Sequence, residues 1–372
     1  MIYMRARISN DRALESDKEH FMENEKKDRI SAYLTPLNRE MLFGELSDDF
    51  LHMMGGKEIL SGIPVPISEG ENGQIAVRSI VLDMAKVIGA DPDFLYADKY
   101  MTYIKAVAGD QAEPMLVSEG AKLADEGRFE ESCMLLRTAL AIEPKSRAAL
   151  YLYGRACKAC YESASEDEDQ PKGEAYIAAF KAESMDIFEV LTMMHPDFAM
   201  GYYFLGYAYL NLGLYLKTKL TWDDFMKYSS SADDNGSGLD DNQLEDLRRE
   251  IQGMLLDLED PVAIERGCNQ IMQGDFLGGR DTLSRFREGR YENWWPLWYY
   301  LGVAESALGN LDEAIADLKK VLTLSPSNTD VMDELAQLYE AAGDTVNAAK
   351  YRNKINIVHN NIEQEMADQK LS

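Results

Sequence analysis

The hydrophobic positions of this 372-residue chain recur at helical spacing around pairs of glycines set seven residues apart. Gly120 and Gly127 form one pair, and Gly302 and Gly309 form another. Both pairs are followed by apolar residues at the same offsets, Leu136 and Leu318 being one example. A first glycine of this kind lets two helices approach closely, and the second suits the left-handed residue that ends a helix. The pattern therefore predicts pairs of antiparallel helices.

These predicted hairpins follow one another at a nearly constant period. The first glycines lie 34 residues apart from Gly120 to Gly154 and 35 apart from Gly267 to Gly302. A single hairpin cannot bury its own apolar face, so neighbouring hairpins are expected to stack into a superhelix. The six predicted repeats are placed by Gly120, Gly154, Gly206, Gly267, Gly302 and Ala336.

This arrangement resembles the tetratricopeptide repeat, whose period is about 34 residues. The resemblance covers roughly residues 113–360. It implies an all-α fold, a right-handed α-solenoid of about six helical hairpins preceded by a helical N-terminal region. It also implies a protein-binding scaffold rather than an enzyme.

Two repeats are longer than the period and predict insertions, at residues 163–173 and 229–260. The first insertion is acidic. The second starts polar and then predicts an extra helix, because five apolar residues form one stripe at helical spacing. The last helix is expected to continue to about residue 367 as a cap of the superhelix, which spans residues 111–372. The stripe of the extra helix consists of Leu244, Leu247, Ile251, Leu255 and Leu258.

We recognise no family motif in the first 110 residues. Residues 1–30 read as a polar arm, expected to be partly disordered, because residues 11–29 are nearly all polar. Residues 31–110 predict a helical region, with helices at 38–54, at 74–89 and from Asp91 to about Val107. The third helix is expected to turn Leu95 and Tyr100 towards a core. This region is either a cap of the array or a small separate domain.

Seven side chains are predicted to line the concave face of the superhelix if the repeat register holds. Rigid tyrosines and cations are typical anchors of protein interfaces. The alternative is that these residues fill gaps left by the insertions. The predicted partner-binding residues are Tyr151, Arg155, Lys158, Tyr203, Tyr207, Asn211 and Tyr299.

Charge narrows the classes of partner. The 38 basic and 65 acidic residues give a net charge of −27, which disfavours nucleic acids and anionic membranes and favours basic protein segments. No apolar run is long enough to span a membrane. The four cysteines are too few for a disulfide framework and predict a cytoplasmic protein.

Candidate chemical motifs are few. Cys157 and Cys160 form a CxxC that lacks a second pair of metal ligands, so both are expected to pack as small apolar residues. The acidic loop 233–241 resembles a calcium loop, but Leu244 stands where the closing glutamate belongs. Catalytic motifs are absent. We predict no enzymatic activity, cofactor or metal.

The leading hypothesis is a non-enzymatic scaffold or adaptor that binds a protein or peptide on its concave face. One alternative is a repeat platform that targets a regulatory or catalytic N-terminal region. Another is a self-associating structural array. The sequence leaves the partner and the oligomeric state open.

Overall fold

The computed structural model describes residues 28–67, 77–166, 172–230 and 239–371. Contacts between Cα atoms divide the chain into two compact units, Met1–Gly201 and Tyr202–Ser372. The described residues are mainly α-helical, as the repeat pattern predicts. They also form one small antiparallel sheet of two strands, β1 (Leu42–Gly44) and β2 (Val65–Ile67), in which Phe43 pairs with Pro66.

The first unit contains nine α-helices among its described residues, and two short 3₁₀-helices at Thr35–Glu40 and Gly109–Gln111. The α-helices are α1 (Ser31–Leu34), α2 (Asp48–Met53), α3 (Lys57–Leu60), α4 (Val77–Ala90), α5 (Ala97–Ala108), α6 (Ala112–Asp125), α7 (Phe129–Ile142), α8 (Arg147–Glu166) and α9 (Glu174–Met194).

The next helix begins in the last residues of the first unit, and the remaining helices belong to the second unit. They are α10 (Ala199–Leu210), α11 (Tyr215–Tyr228), α12 (Asp241–Asp257), α13 (Glu259–Met272), α14 (Phe276–Ser284), α15 (Trp295–Ala307), α16 (Leu311–Leu324), α17 (Thr329–Ala341) and α18 (Thr345–Leu371).

The predicted helical hairpins are confirmed, and they pair α6 with α7, α8 with α9, α10 with α11, α13 with α14, α15 with α16, and α17 with α18. The glycines act as the pattern predicts. A Cβ built on Gly120 would lie 2.8 Å from Leu136 Cγ, so only glycine permits this approach of the two helices. Gly127 has φ = 78° and Gly309 has φ = 83°, each at the end of a first helix.

The N-terminal region differs from its predicted helices. The prediction of one helix at 38–54 is wrong, because this segment forms part of a 3₁₀-helix, then β1, then α2. Ser47 starts α2 by accepting a hydrogen bond from the Phe50 amide at 3.3 Å. The third helix begins at Ala97 rather than at Asp91, which leaves Leu95 81% exposed, while Tyr100 is fully buried.

The described part of the N-terminal region shares a core with the first hairpin. Buried side chains from α4 and α5 pack in one cluster with Leu116 of α6 and Leu135 of α7. Thr138 of α7 donates a hydrogen bond to the Ala85 carbonyl of α4 at 2.6 Å. The predicted polar arm lies mostly outside the described residues, but its end packs on the unit, with Ile30 buried. The region therefore covers the first hairpin.

The two insertions lie where the period breaks. In the first, α8 continues to Glu166 and α9 starts at Glu174, and residues 167–171 lie outside the described part. In the second, the extra helix is α12. Asp240 caps it by accepting a hydrogen bond from the Gln243 amide at 2.8 Å. Leu244, Ile251 and Leu258 of the predicted stripe are buried.

Candidate functional site

The predicted binding residues occupy fixed positions relative to the repeat glycines. Tyr151, Tyr203 and Tyr299 each stand three residues before a first glycine, and Arg155 and Tyr207 stand one residue after it. Residues at these two offsets are one helical turn apart and share a face of the first helix. We call this the inner face of a hairpin.

In the first unit, the structure brings Tyr151 and Arg155 together. The Arg155 guanidinium lies 5.4 Å from the centre of the Tyr151 ring, and Phe198 packs edge-on against this ring at 5.1 Å. Burial raises the pKa of the Tyr151 hydroxyl, which therefore stays protonated. Lys158 forms an ion pair with Glu162 on the same helix. Tyr151 is thus largely used in packing, while Arg155 is exposed.

In the second unit, Tyr203 and Tyr207 lie side by side on α10, with ring centres 5.2 Å apart. Tyr207 packs edge-on against Trp222 of α11 at 4.9 Å. Both tyrosine hydroxyls donate hydrogen bonds to the Glu250 carboxylate of α12. Burial and this carboxylate raise the pKa of Tyr207. The inner face of the third hairpin is therefore occupied by the insertion of the chain itself.

The two remaining predicted residues have different settings. Asn211 is exposed at the end of α10. The Tyr299 hydroxyl donates a hydrogen bond to Glu334 Oε1 of α17 at 3.0 Å, and so connects the fifth hairpin to the sixth. Burial raises the pKa of Glu334. The common groove of Tyr203, Tyr207 and Tyr299 thus remains a prediction.

An open groove that the sequence did not identify lies in the second unit, between α13 and α15. Its volume is about 730 Å³. Ile264 and Cys268 stand at the two inner-face offsets from Gly267, so the repeat register could have identified them. Their aliphatic and thiol side chains do not stand out in sequence as the tyrosines do. The lining residues are Gly213, Tyr215, Pro261, Ile264, Glu265, Cys268, Asn269, Met272, Arg290, Tyr291, Trp294, Pro296 and Tyr300.

Several polar groups of this groove have partners within the chain. The Glu265 carboxylate accepts a hydrogen bond from the Leu216 amide at 2.8 Å, and the Tyr300 hydroxyl contacts Met272 Sδ at 3.9 Å. The Arg290 guanidinium stacks on Tyr291, 5.6 Å from the ring centre. Burial raises the pKa of the Cys268 thiol to about 11, which keeps it neutral. The groove is suited to holding apolar side chains.

The CxxC cysteines pack inside the first unit. Cys157 and Cys160 are buried, and Cys157 Sγ lies 3.7 Å from Cys133 Sγ. Burial raises the pKa of Cys133 and of Cys157, so both are neutral thiols. Among the described residues, no three His, Cys, Asp or Glu side chains are grouped to hold a metal ion. Most of the calcium-like loop 233–241 lies outside the described residues.

Within the described ranges, no helix combines the length and apolarity that a membrane span requires.

Comparison with known proteins identifies one repeat directly. Residues 295–328, which form α15, α16 and the turn that follows, match the family model of the tetratricopeptide repeat. Two curated proteins, the FK506-binding protein-like proteins of Homo sapiens and of Rattus norvegicus, are each 52% identical over 40 residues. This match covers 11% of this chain and only 12% of each relative.

Solved structures with similar helices include MamA from Desulfovibrio magneticus RS-1. It is 12% identical, with 67% of this chain and 96% of that chain covered and a TM-score of 0.25. The TPR2AB domain of yeast Sti1, solved in a complex with pHSP90, is 15% identical, with coverages of 70% and 96% and a TM-score of 0.29. Because these TM-scores are low, the tetratricopeptide repeat is identified here by the family match and by the observed hairpins.

Proposed function

Since this chain is a tetratricopeptide repeat protein, we propose that it is a non-enzymatic scaffold that binds a segment of a partner protein on the inner face of its hairpins. The open groove between α13 and α15 carries this proposal. It lies at the inner-face offsets of the fourth hairpin, and its walls are mainly aromatic, proline and sulfur-containing side chains. Such walls favour apolar anchor residues of a partner.

The charge of the chain indicates the chemistry of the partner. With a net charge of −27, the protein attracts basic segments over distances up to the Debye length, about 8 Å at physiological salt. Exposed Glu259 and Asp260 stand at the start of α13, beside the groove residue Pro261. We therefore propose a partner segment with apolar anchors and basic flanks. The four buried free cysteines are consistent with our proposal of a cytoplasmic protein.

A matched pair of variants tests this proposal. Met272 lines the groove and is 63% exposed, while Leu277 is 53% exposed on α14 and does not line it. Met272→Glu places a charge among apolar walls, so we expect it to lose the partners that wild-type protein retains from a cell extract. Leu277→Glu should retain them. The readout is affinity capture, with quantification of each retained protein.

Repeating the capture at high salt separates the two contributions. Partners held only by the acidic surface should dissociate, while partners anchored in the groove should remain, because salt screens exposed charges. The proposal is wrong if Met272→Glu and Leu277→Glu retain the same proteins at both salt concentrations.

A further inference from the structure

The helix of the second insertion, α12, is held on the third hairpin by few groups. Two of its 17 residues, Leu244 and Ile251, are buried. Most of its other side chains are exposed, including Leu256 at 65%. Three other apolar side chains, Leu247, Met254 and Leu255, are half-buried. Few fully buried apolar contacts are typical of the segments of a fold that open locally.

The middle of α12 also contains a glycine without a packing role. A Cβ built on Gly253 meets no atom within 4 Å, so no close contact requires glycine there. Glycine disfavours a helix relative to alanine because it loses more backbone entropy. Gly253 therefore lowers the intrinsic helix stability of α12, although no packing contact needs a glycine there.

Polar contacts attach α12 to one specific surface. Glu250 accepts hydrogen bonds from Tyr203 at 3.3 Å and from Tyr207. Arg248 donates to the Met226 carbonyl at 3.0 Å and to Ser229 Oγ at 2.9 Å. The Glu250 contacts place α12 over Tyr203 and Tyr207 on the inner face of the third hairpin.

The covered surface resembles a binding surface in its composition. Tyr203 and Tyr207 pack against Phe225 and Trp222, with ring centres 5.6 and 4.9 Å apart. Tyr215, at the start of α11, lines the open groove. Tyr203 and Tyr207 stand at the inner-face offsets of the third hairpin, as Ile264 and Cys268 of the groove do in the fourth, so the covered cluster and the groove lie at equivalent positions of successive hairpins.

We propose that α12 is a detachable cap on the inner face of the third hairpin, which shields Tyr203 and Tyr207 and limits the open surface to the groove. Opening of α12 adds the aromatic cluster to that surface and so admits a longer partner segment. The role of the partner rests on the proposed function, but the opening of α12 is a property of the free protein.

Hydrogen–deuterium exchange of the full-length protein tests the cap. Glu250→Gln removes the charge that strengthens both tyrosine hydrogen bonds, and we expect the α12 amides to exchange about tenfold faster. Asp246→Asn is the matched control, because Asp246 pairs with Arg249 on the exposed side, where the two side chains are 73% and 70% exposed. It should exchange as wild type does.

A second variant acts in the opposite direction. Gly253→Ala raises helix propensity without a steric clash, and we expect the α12 amides to exchange about fivefold more slowly. Met272→Glu should leave the exchange of the α12 amides unchanged even where it abolishes partner binding. The exchange experiment therefore tests the cap independently of the proposed groove function. The cap is refuted if wild-type α12 exchanges as slowly as α11, or if Glu250→Gln matches Asp246→Asn.

Discussion

An ion pair between a half-buried arginine and a buried aspartate shows how much a single residue contributes in the second unit. Arg287 makes two parallel hydrogen bonds to Asp317, at 2.6 and 2.7 Å, and its guanidinium lies over the Trp298 ring. Asp317 is 3% exposed. Burial raises its pKa above the ordinary value, and the guanidinium offsets part of that rise. The buried Asp317 carboxylate is therefore stabilised by its partner more than the half-exposed Arg287 guanidinium is.

We predict an asymmetric response when this pair is broken. Arg287→Ala leaves a buried charge without its partner and should lower the free energy of unfolding by about 3 kcal/mol at pH 7. Asp317→Asn should cost only about 1 kcal/mol, because Arg287 can turn to water. Urea denaturation of both variants measures the difference, and equal losses would contradict this account.

The loss in Arg287→Ala should also depend on pH. Because the folded-state pKa of Asp317 lies above its ordinary value, the folded protein binds this proton more tightly than the unfolded chain does. Stability from this group therefore rises as the pH falls towards the raised pKa. The deficit of Arg287→Ala should therefore shrink as the pH is lowered from 7 towards the ordinary carboxyl pKa, whereas that of Asp317→Asn should not.

At the scale of the element, the hairpin depends on the approach of its two helices. In the third hairpin, Gly206 of α10 faces the fully buried Trp222 of α11. A Cβ on Gly206 would lie 2.3 Å from Trp222 Cδ1, so the buried indole would have to shift. This contact explains why the period of the chain is marked by glycine.

We expect Gly206→Ala to destabilise the second unit by about 2–3 kcal/mol through overpacking. Gly253→Ala is the same substitution in a helix with open space around it, and it should stabilise slightly. Thermal unfolding followed by circular dichroism compares the two variants. A Gly206→Ala protein as stable as wild type would show that the two helices can separate without cost.

At the scale of the whole molecule, the described part of the N-terminal region shares its core with the first hairpin. Leu135 and Ala139 of α7 belong to the same buried cluster as Ile80 and Met84 of α4. A Cβ on Gly89 would lie 1.8 Å from the Met134 carbonyl oxygen, so α4 crosses α7 at backbone contact. This favours the interpretation of residues 31–110 as a cap of the array over that of a separate domain.

Two fragments test that interpretation. We expect residues 1–110 alone to lack cooperative thermal unfolding, because their apolar faces lose the first hairpin. Residues 1–201 contain the complete cluster and should unfold cooperatively. A cooperative transition in the shorter fragment would instead support an independent N-terminal domain.

The sequence by itself determined the hairpins, and the reason is local. Glycine frees the backbone, proline stops a helix and apolar residues recur with the helical period, so residues such as Gly120 and Gly127 predict their own surroundings. At residues 38–54 the local signals were weak, and the single predicted helix does not form. Pairing of β1 with β2, which are distant in sequence, takes its place before α2.

Only the tertiary structure decided which inner faces are open. Tyr207 and Glu250 are 43 residues apart in sequence, and no local pattern predicts that they meet. The groove between α13 and α15 likewise joins residues from three hairpins. Such surfaces arise from packing between distant segments, whose energies depend on geometry rather than on spacing along the chain. The repeat fixes where an inner face lies, and the insertion decides how much of it the partner can reach in our proposal.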